Sequence, residues 1–286
     1  MKYIRTLVTG AGGLLGGAFM ALAKKSHIQG FSSCDVDICD LNACNRFIHD
    51  AKPDVIIHCA AKTNVEWCEK HKVEAEAVNV QGTINLIEAA KKVKAKIVFI
   101  SSTGVYGAHK NLAYTERDET KPSTWHHETK LIAESQVQIS GLPYLIIRTG
   151  WLYGSYNDKT DFVLDRIRDA DTAKFLSSNI SQIGNPTFTK NLVEQVLLLL
   201  KLQKTGIFNC VDAATGISRY DYTRKILASA GYSIEVMPVE EIFFNRIATV
   251  SNNESAINEK LFLQNQNIMQ SWDLALETYI KERLAL

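Results

Sequence analysis

The stretch TLVTGAGGLLGG, residues 6–17, constrains this chain more than any other. An apolar run ends on glycines at positions 10, 13 and 16, and an amphipathic segment, GGAFMALAKK, follows at once. The spacing GxxGxxG between a strand and a helix lets the chain turn tightly and brings backbone N–H groups to a helix N-terminus, where aligned peptide dipoles favour a pyrophosphate. A glycine-rich turn kept for close packing would use the same residues. The strand before and the helix after, expected from Gly16 to Lys25, favour the dinucleotide-binding reading.

The first half then alternates short β-branched runs (YIRTLV, VIIHCA, KIVFIS, PYLIIRT) with helical patterns, one of them near Ala75–Val93. KPDVIIHCAA and AKIVFISS are nearly continuous apolar runs, as strands covered on both faces should be. After about Thr149 glycine and proline punctuate the pattern, with helices expected at Lys190–Lys201 and Tyr220–Ala230 and a short strand at GIFNCV. The fold class is therefore α/β: a Rossmann-type doubly wound parallel sheet followed by a smaller C-terminal α/β lobe. The dinucleotide-binding domain is expected over residues 1–150, which a segment of the second half is free to rejoin, and the substrate lobe over residues 151–286.

With 286 residues, 46% hydrophobic and 22% charged, the chain has ample apolar material for a core. Its formal net charge of +1 creates no long-range field for nucleic acid or anionic membrane, so neither is expected as a partner. The six cysteines form no CxxC pair and match no zinc spacing, which implies reduced thiols and no metal site. MKYIRTLVTG lacks a signal peptide's apolar core, and VLLLL at Val196–Leu200 is too short to span a bilayer; a cytoplasmic protein is expected. The surface leaves homodimerisation open.

The acidic residue that holds an adenosine ribose is harder to place. The second strand runs into Ser32 and Ser33, with Asp35 and Asp37 slightly later. Serines at the ribose position would offer hydroxyls to a 2′-phosphate, so NADP(H) is preferred, NAD(H) remaining open. Asp40, with Leu41, suits an adenine amino group, and equally a helix N-cap for LNACNRFI.

Read in order, VTGAGGLLG, DICD, KPDVIIHCAAKTNVEWCE, NVQGTINLIEAA, FISSTGVYG, YTERDETKP, HHETKLIAE, LIIRTGWLYG and SQIGNPT make the chain resemble the extended short-chain dehydrogenase/reductases, within them the dTDP-4-dehydrorhamnose reductase branch. The resemblance covers most of the chain. It implies that Gly10, Gly13, Leu14, Leu15 and Gly16 cradle the pyrophosphate, that Asp40 and Leu41 meet the adenine, and that Cys59, Ala60 and Ala61 line the middle of the cofactor. It implies that Ser102 hydrogen-bonds the substrate carbonyl, that Thr103 and Trp151 contact the sugar, and that Lys130 is the lysine of the YxxxK signature, binding the nicotinamide ribose.

Two departures stand out. The signature tyrosine is replaced by His126, which still shares a helical face with Lys130 at i and i+4, a face expected to be partly exposed. A nearby ammonium disfavours the imidazolium, and a neutral imidazole is a poor acid. Tyr106, or water held by Ser102 and His126, are the substitutes. Near the C-terminus the branch's Arg-Pro pair ahead of Asn-Ser-x-Leu is missing from ATVSNNESAINEKL, leaving only Ser255–Ile257. The implied function is an NADP(H)-dependent reductase of a nucleotide-linked 4-keto sugar in polysaccharide or deoxysugar biosynthesis, with Ser102, His126 and Lys130 as catalytic residues. The alternatives are a nucleotide-sugar epimerase and a catalytically impaired NADP-binding regulatory subunit.

Overall fold

The computed structural model describes residues 4–23, 27–157 and 159–284. The first half contains β1 (Thr6–Thr9), α1 (Leu14–Leu22), β2 (Ile28–Phe31), α2 (Leu41–Ala51), β3 (Val55–His58), α3 (Val65–Lys70), α4 (Lys72–Glu76), α5 (Gly82–Val93), β4 (Lys96–Ser102), α6 (Trp125–Ile139) and β5 (Tyr144–Thr149). The remainder adds β6 (Leu152–Tyr153), α7 (Phe162–Ala170), β7 (Phe175–Asn179), β8 (Ile183–Gly184), β9 (Thr187–Phe188), α8 (Thr189–Lys201) and β10 (Gly206–Asn209). It closes with β11 (Ile217–Ser218), α9 (Arg219–Ser229), β12 (Glu235–Val239), α10 (Glu259–Leu263) and α11 (Trp272–Leu284). Helix α1 starts two residues before the expected Gly16; Lys24 and Lys25, like Tyr3 of the first strand run, lie outside the described residues.

Six strands form one Rossmann-like sheet in the order β10-β5-β4-β3-β1-β2, every pair parallel. Alternation along the strands explains the continuous apolar runs. Leu7, Ile56, Ile97, Phe99 and Ile146 face one helix layer with Cys44, Leu86 and Ala133. Val8, Ile57, Val98, Leu145 and Ile147 face the other, with Phe19, Leu192 and Val196. Both faces are dry, so neither carries the polar half of an alternating pattern. Strand β10 lies beside β5, and α8 covers it from the second layer, so the second half of the chain completes the sheet.

The strand order reverses between β1 and β3, and their ends are level, Thr9 pairing with His58. A crevice therefore opens beyond these carboxyl ends, where ligands of open α/β sheets bind. The rest of the second half packs around its own aromatic core, including Tyr153, Phe188, Tyr222 and Tyr279, and flanks that crevice. Among the described residues no helix is long and apolar enough to cross a membrane.

One element differs in kind from its expectation. The helix expected near Ala75–Val93 begins earlier and contains a π-turn at Ala77–Gln81. There Asn79, 1% exposed, accepts from the Lys62 N–H (2.7 Å) and donates to the Lys62 carbonyl (3.0 Å) and Thr129 Oγ1 (2.9 Å). The extra residue in the turn aims this amide at the segment after β3 and at α6, a use typical of π-bulges near functional sites.

Candidate active site

The phosphate loop is built by glycine for two separate reasons. Gly10 has φ +68°, and a Cβ there would lie 2.8 Å from the backbone N and Cα of Ala60; a Cβ at Gly16 would lie 2.1 Å from the Gly10 carbonyl oxygen. These two glycines let the loop rest on the end of β3 and α1 rest on the loop. The Gly13 N–H bonds the Gly10 carbonyl at 2.8 Å. The N–H groups of Leu14, Leu15 and Gly16 make no hydrogen bond among the described residues, and the cap residue Gly13 brings no side chain to them. Three converging donors on a nine-residue helix fit a pyrophosphate.

At the adenine end Asp40 caps α2, its Oδ1 accepting from Asn42 N (2.8 Å) and Ala43 N (3.1 Å). Its Oδ2 stays available, beside a Leu41 that is 40% exposed. Ser32 is placed differently from the free hydroxyl expected of it. Its N–H and Oγ both donate to Asp35 Oδ2, at 2.8 and 2.9 Å, in the turn that ends β2. These bonds hold the Asp35 carboxyl below its usual range, an ionised neighbour beside the Ser32 hydroxyl. Ser33 is an exposed turn residue and Asp37 accepts from the Cys39 N–H.

Ser102 ends β4 and accepts from the Gly104 N–H at 3.1 Å, which leaves its hydroxyl hydrogen to donate. Thr103 is 1% exposed, and its Oγ1 is only 2.4 Å from where a Cβ on Gly150 would be. Helix α6 is capped by Thr124, whose hydroxyl accepts from the His127 N–H, and is pinned to β5 by the buried pair Glu134–Arg148 at 2.7 Å. The face expected to be partly exposed is in fact interior: His126, His127 and Lys130 are 6, 5 and 5% exposed. The segment after β3, the π-turn and the turn after β4 together cover it.

Lys130 Nζ sits 4.1 Å over the Phe99 ring and makes no hydrogen bond or ion pair among the described residues. Burial lowers it to about 8, against the opposing fields of Glu134 and Cys59, and the Cys59 thiol is itself pushed up to about 12 by burial. An ammonium in an apolar pocket is costly until something completes its bonding. Ribose hydroxyls would do so.

His126 Nδ1 lies 3.0 Å from the Lys62 carbonyl oxygen, which can only accept. The ring is therefore the Nδ1–H tautomer when neutral, and Nε2 is an acceptor. Burial first, then His127 and Lys130, hold His126 well below the usual histidine range. It is not poised as an acid. Tyr106 is excluded as its substitute: the ring is fully buried, its hydroxyl donates to Asn209 at 2.8 Å, and burial raises it to about 12.

Trp151 links the two halves. It has φ +48°, an uncommon value for a bulky residue, and its Nε1 donates to Glu254 Oε2 at 3.0 Å. Glu254 occupies the segment where the branch's Arg-Pro pair is missing. Of the residues that build this site, Asn79, Thr129, Lys62 and His127 were not anticipated. Their signal was the AAKTNV, NVQGT and HHETK stretches, but the bonds that matter join positions 17 to 64 residues apart.

Residues 4–285 match the family model described as the RmlD substrate binding domain. The chain is 34% identical over 231 residues to the dTDP-4-dehydrorhamnose reductase of Mycolicibacterium smegmatis, covering 79% of this chain and 69% of that one. Among solved structures, a dTDP-4-dehydrorhamnose reductase of Clostridium acetobutylicum matches with a TM-score of 0.93 at 32% identity, covering 98% of this chain and 99% of that one. The dTDP-4-dehydrorhamnose reductase of Bacillus anthracis in complex with NADP matches at 0.94 and 28% identity, covering 98% and 100%. With a match that spans nearly its whole length, the chain belongs to the RmlD substrate binding domain family.

Proposed function

We propose that the protein is an NADPH-dependent reductase of a nucleotide-linked 4-keto sugar. The observation that carries this is Lys130, an ammonium buried over the Phe99 ring with no hydrogen bond or ion pair among the described residues. The relatives named above, one holding NADP, support the cofactor and the substrate class. The sheet with α8 and β10 holds the dinucleotide and the flanking aromatic lobe holds the sugar.

The dinucleotide, when bound, supplies the hydride that reaches the sugar's carbonyl carbon. Leu14, Leu15 and Gly16 hold its pyrophosphate through their N–H groups, and Lys130 holds its ribose hydroxyls. Ser102 Oγ donates to the keto oxygen and stabilises the negative charge that grows there. The proton has no side-chain donor of the usual kind: His126 Nε2 accepts one hydrogen of an ordered water, whose other proton passes to the oxygen while bulk solvent returns a proton to the hydroxide left behind. That same tautomer favours a second reading, a dinucleotide-binding subunit without turnover.

The test supplies NADPH and a dTDP-4-keto-6-deoxyhexose and follows NADPH absorbance and product mass. Consumption matched to a product with two more hydrogens, lost in Lys130→Met together with NADPH affinity, is expected. NADPH binding without consumption on any keto sugar would replace the reductase with the binding subunit.

A further inference from the structure

One cluster of side chains serves neither the fold nor the catalytic edge. Arg219, the first residue of α9, lays its guanidinium 3.5 Å over the Trp151 ring and 4.8 Å from the centre of Phe162. The guanidinium makes no hydrogen bond or ion pair among the described residues, although the residue is half-buried. Burial lowers it to about 10 against the opposing field of Glu254, and Arg246 and Arg166 lie near enough to repel it.

Its two neighbours are similarly incomplete. The Arg166 Nε is buried with no hydrogen-bond partner, while its NH2 pairs with Asp169 at the surface. Arg246 reaches Glu241 only at 3.5 Å. The loop after it is tied across the crevice, because the Glu66 carboxylate on α3 accepts from Ile247 N (3.1 Å) and Ala248 N (3.2 Å). Arg166 and Arg219 thus share the Phe162 ring, at 5.2 and 4.8 Å, with Arg246 close enough for its charge to be felt, and among the described residues the five planar donors of Arg219 have nothing to bind. Repelling cations gathered around an unpartnered guanidinium match a multiply charged anion with several oxygens.

We propose that Arg219, supported by Arg166 and Arg246, binds the diphosphate of the nucleotide sugar, replacing from α9 the arginine missing ahead of Ser255–Ile257. The inference rests on the reductase reading and extends it. Trp151 sets the geometry: its indole packs against Gly184, where a Cβ would lie 2.4 Å from the ring, and carries the Arg219 guanidinium 3.5 Å from the ring centre, which holds the arginine next to the residue that the resemblance places at the sugar. Glu254, holding the indole N–H, fixes the plane on which Arg219 rests.

The probes are dTDP, dTMP and thymidine, titrated into the NADPH-bound protein by calorimetry. Wild type should bind dTDP well above thymidine, and Arg219→Met should weaken dTDP by about 10- to 100-fold, the worth of one or two charge-assisted hydrogen bonds. Thymidine and NADPH affinity should not change, Arg219→Lys should recover part of the loss, and rising salt should weaken dTDP binding to wild type more than to Arg219→Met. Equal dTDP affinity in wild type and a folded Arg219→Met overturns the assignment while leaving the reductase reading intact. Should wild type ignore dTDP, UDP and GDP alike, with their 4-keto sugars, the reductase reading itself fails. Thermal melting separates either result from misfolding, and if Arg219→Met does not fold, Arg166→Met carries the same test.

Discussion

Replacing His126 by tyrosine tests the site at its most unusual position. The substitution places a phenol of ordinary pKa near 10 one helical turn before Lys130, whose amine is held at about 8. The cost is the His126–Lys62 bond, but the Lys62 carbonyl still accepts from Asn79 Nδ2 at 3.0 Å and is not orphaned. One lost hydrogen bond of this kind is worth about 0.5–1.5 kcal/mol, small beside the stability of a domain this size. A positioned proton donor contributes about 10²–10⁴ in rate. Single-turnover oxidation of bound NADPH by a dTDP-4-keto sugar should therefore speed up by that range, with a denaturation midpoint only slightly lowered. A folded, NADPH-binding variant that turns over more slowly than wild type would falsify the argument, because it would mean that the imidazole itself delivers the proton.

Three further outcomes follow from the same geometry. His58, His126 and His127 are all buried with lowered pKa values, His58 to about 3. The folded state takes up their protons later than the unfolded state, so their stability contribution is complete above about pH 6.5 and is lost as pH falls below it, at up to ~1.4 kcal/mol per pH unit for each. Urea midpoints from pH 8 to 4.5 should show that slope, and kcat/KM should show no ionisation near 6.5. Asp35→Ser should raise the NADPH-to-NADH affinity ratio severalfold by removing a carboxylate near the ribose, and an unchanged ratio in calorimetry would place that carboxylate away from the 2′ position. Glu134→Ala should destabilise by about 3–5 kcal/mol in denaturant melts, because it strands Arg148, 4% exposed, without its partner.

The sheet was legible because its evidence is local. KPDVIIHCAA and AKIVFISS read as buried strands without reference to anything else, and Gly10, Gly13 and Gly16 announce a strand–loop–helix turn by spacing alone. The resemblance to a known family singled out Ser102 at the end of β4 and Lys130 on α6, positions that composition and periodicity alone would pass over. What stayed hidden depends on distant partners. Nothing near His126 reveals that residues 62 and 79 bury it and choose its tautomer. The turn that folds Asp35 back onto Ser32 is short, but whether a serine hydroxyl points to a ligand or to its neighbour is decided by backbone geometry. Arg219 reads as an ordinary first-turn helix residue, and only the return of the chain brings it onto Trp151, 68 positions earlier in the sequence.

The place of β10 beside β5 bears on how the molecule is made. When a growing chain has emerged from the ribosome only as far as Thr149, β5 is a raw edge, with Leu145 and Ile147 bare on the side that α8 later covers. An unpaired apolar edge of this kind invites pairing with another nascent chain. Some sixty more residues must appear before Gly206–Asn209 seals it, so the dinucleotide fold cannot mature ahead of the lobe inserted between its strands. For the same reason a fragment cut at the end of β5 should prove sticky rather than autonomous, and its synthesis should lean on chaperones that shield open sheet edges.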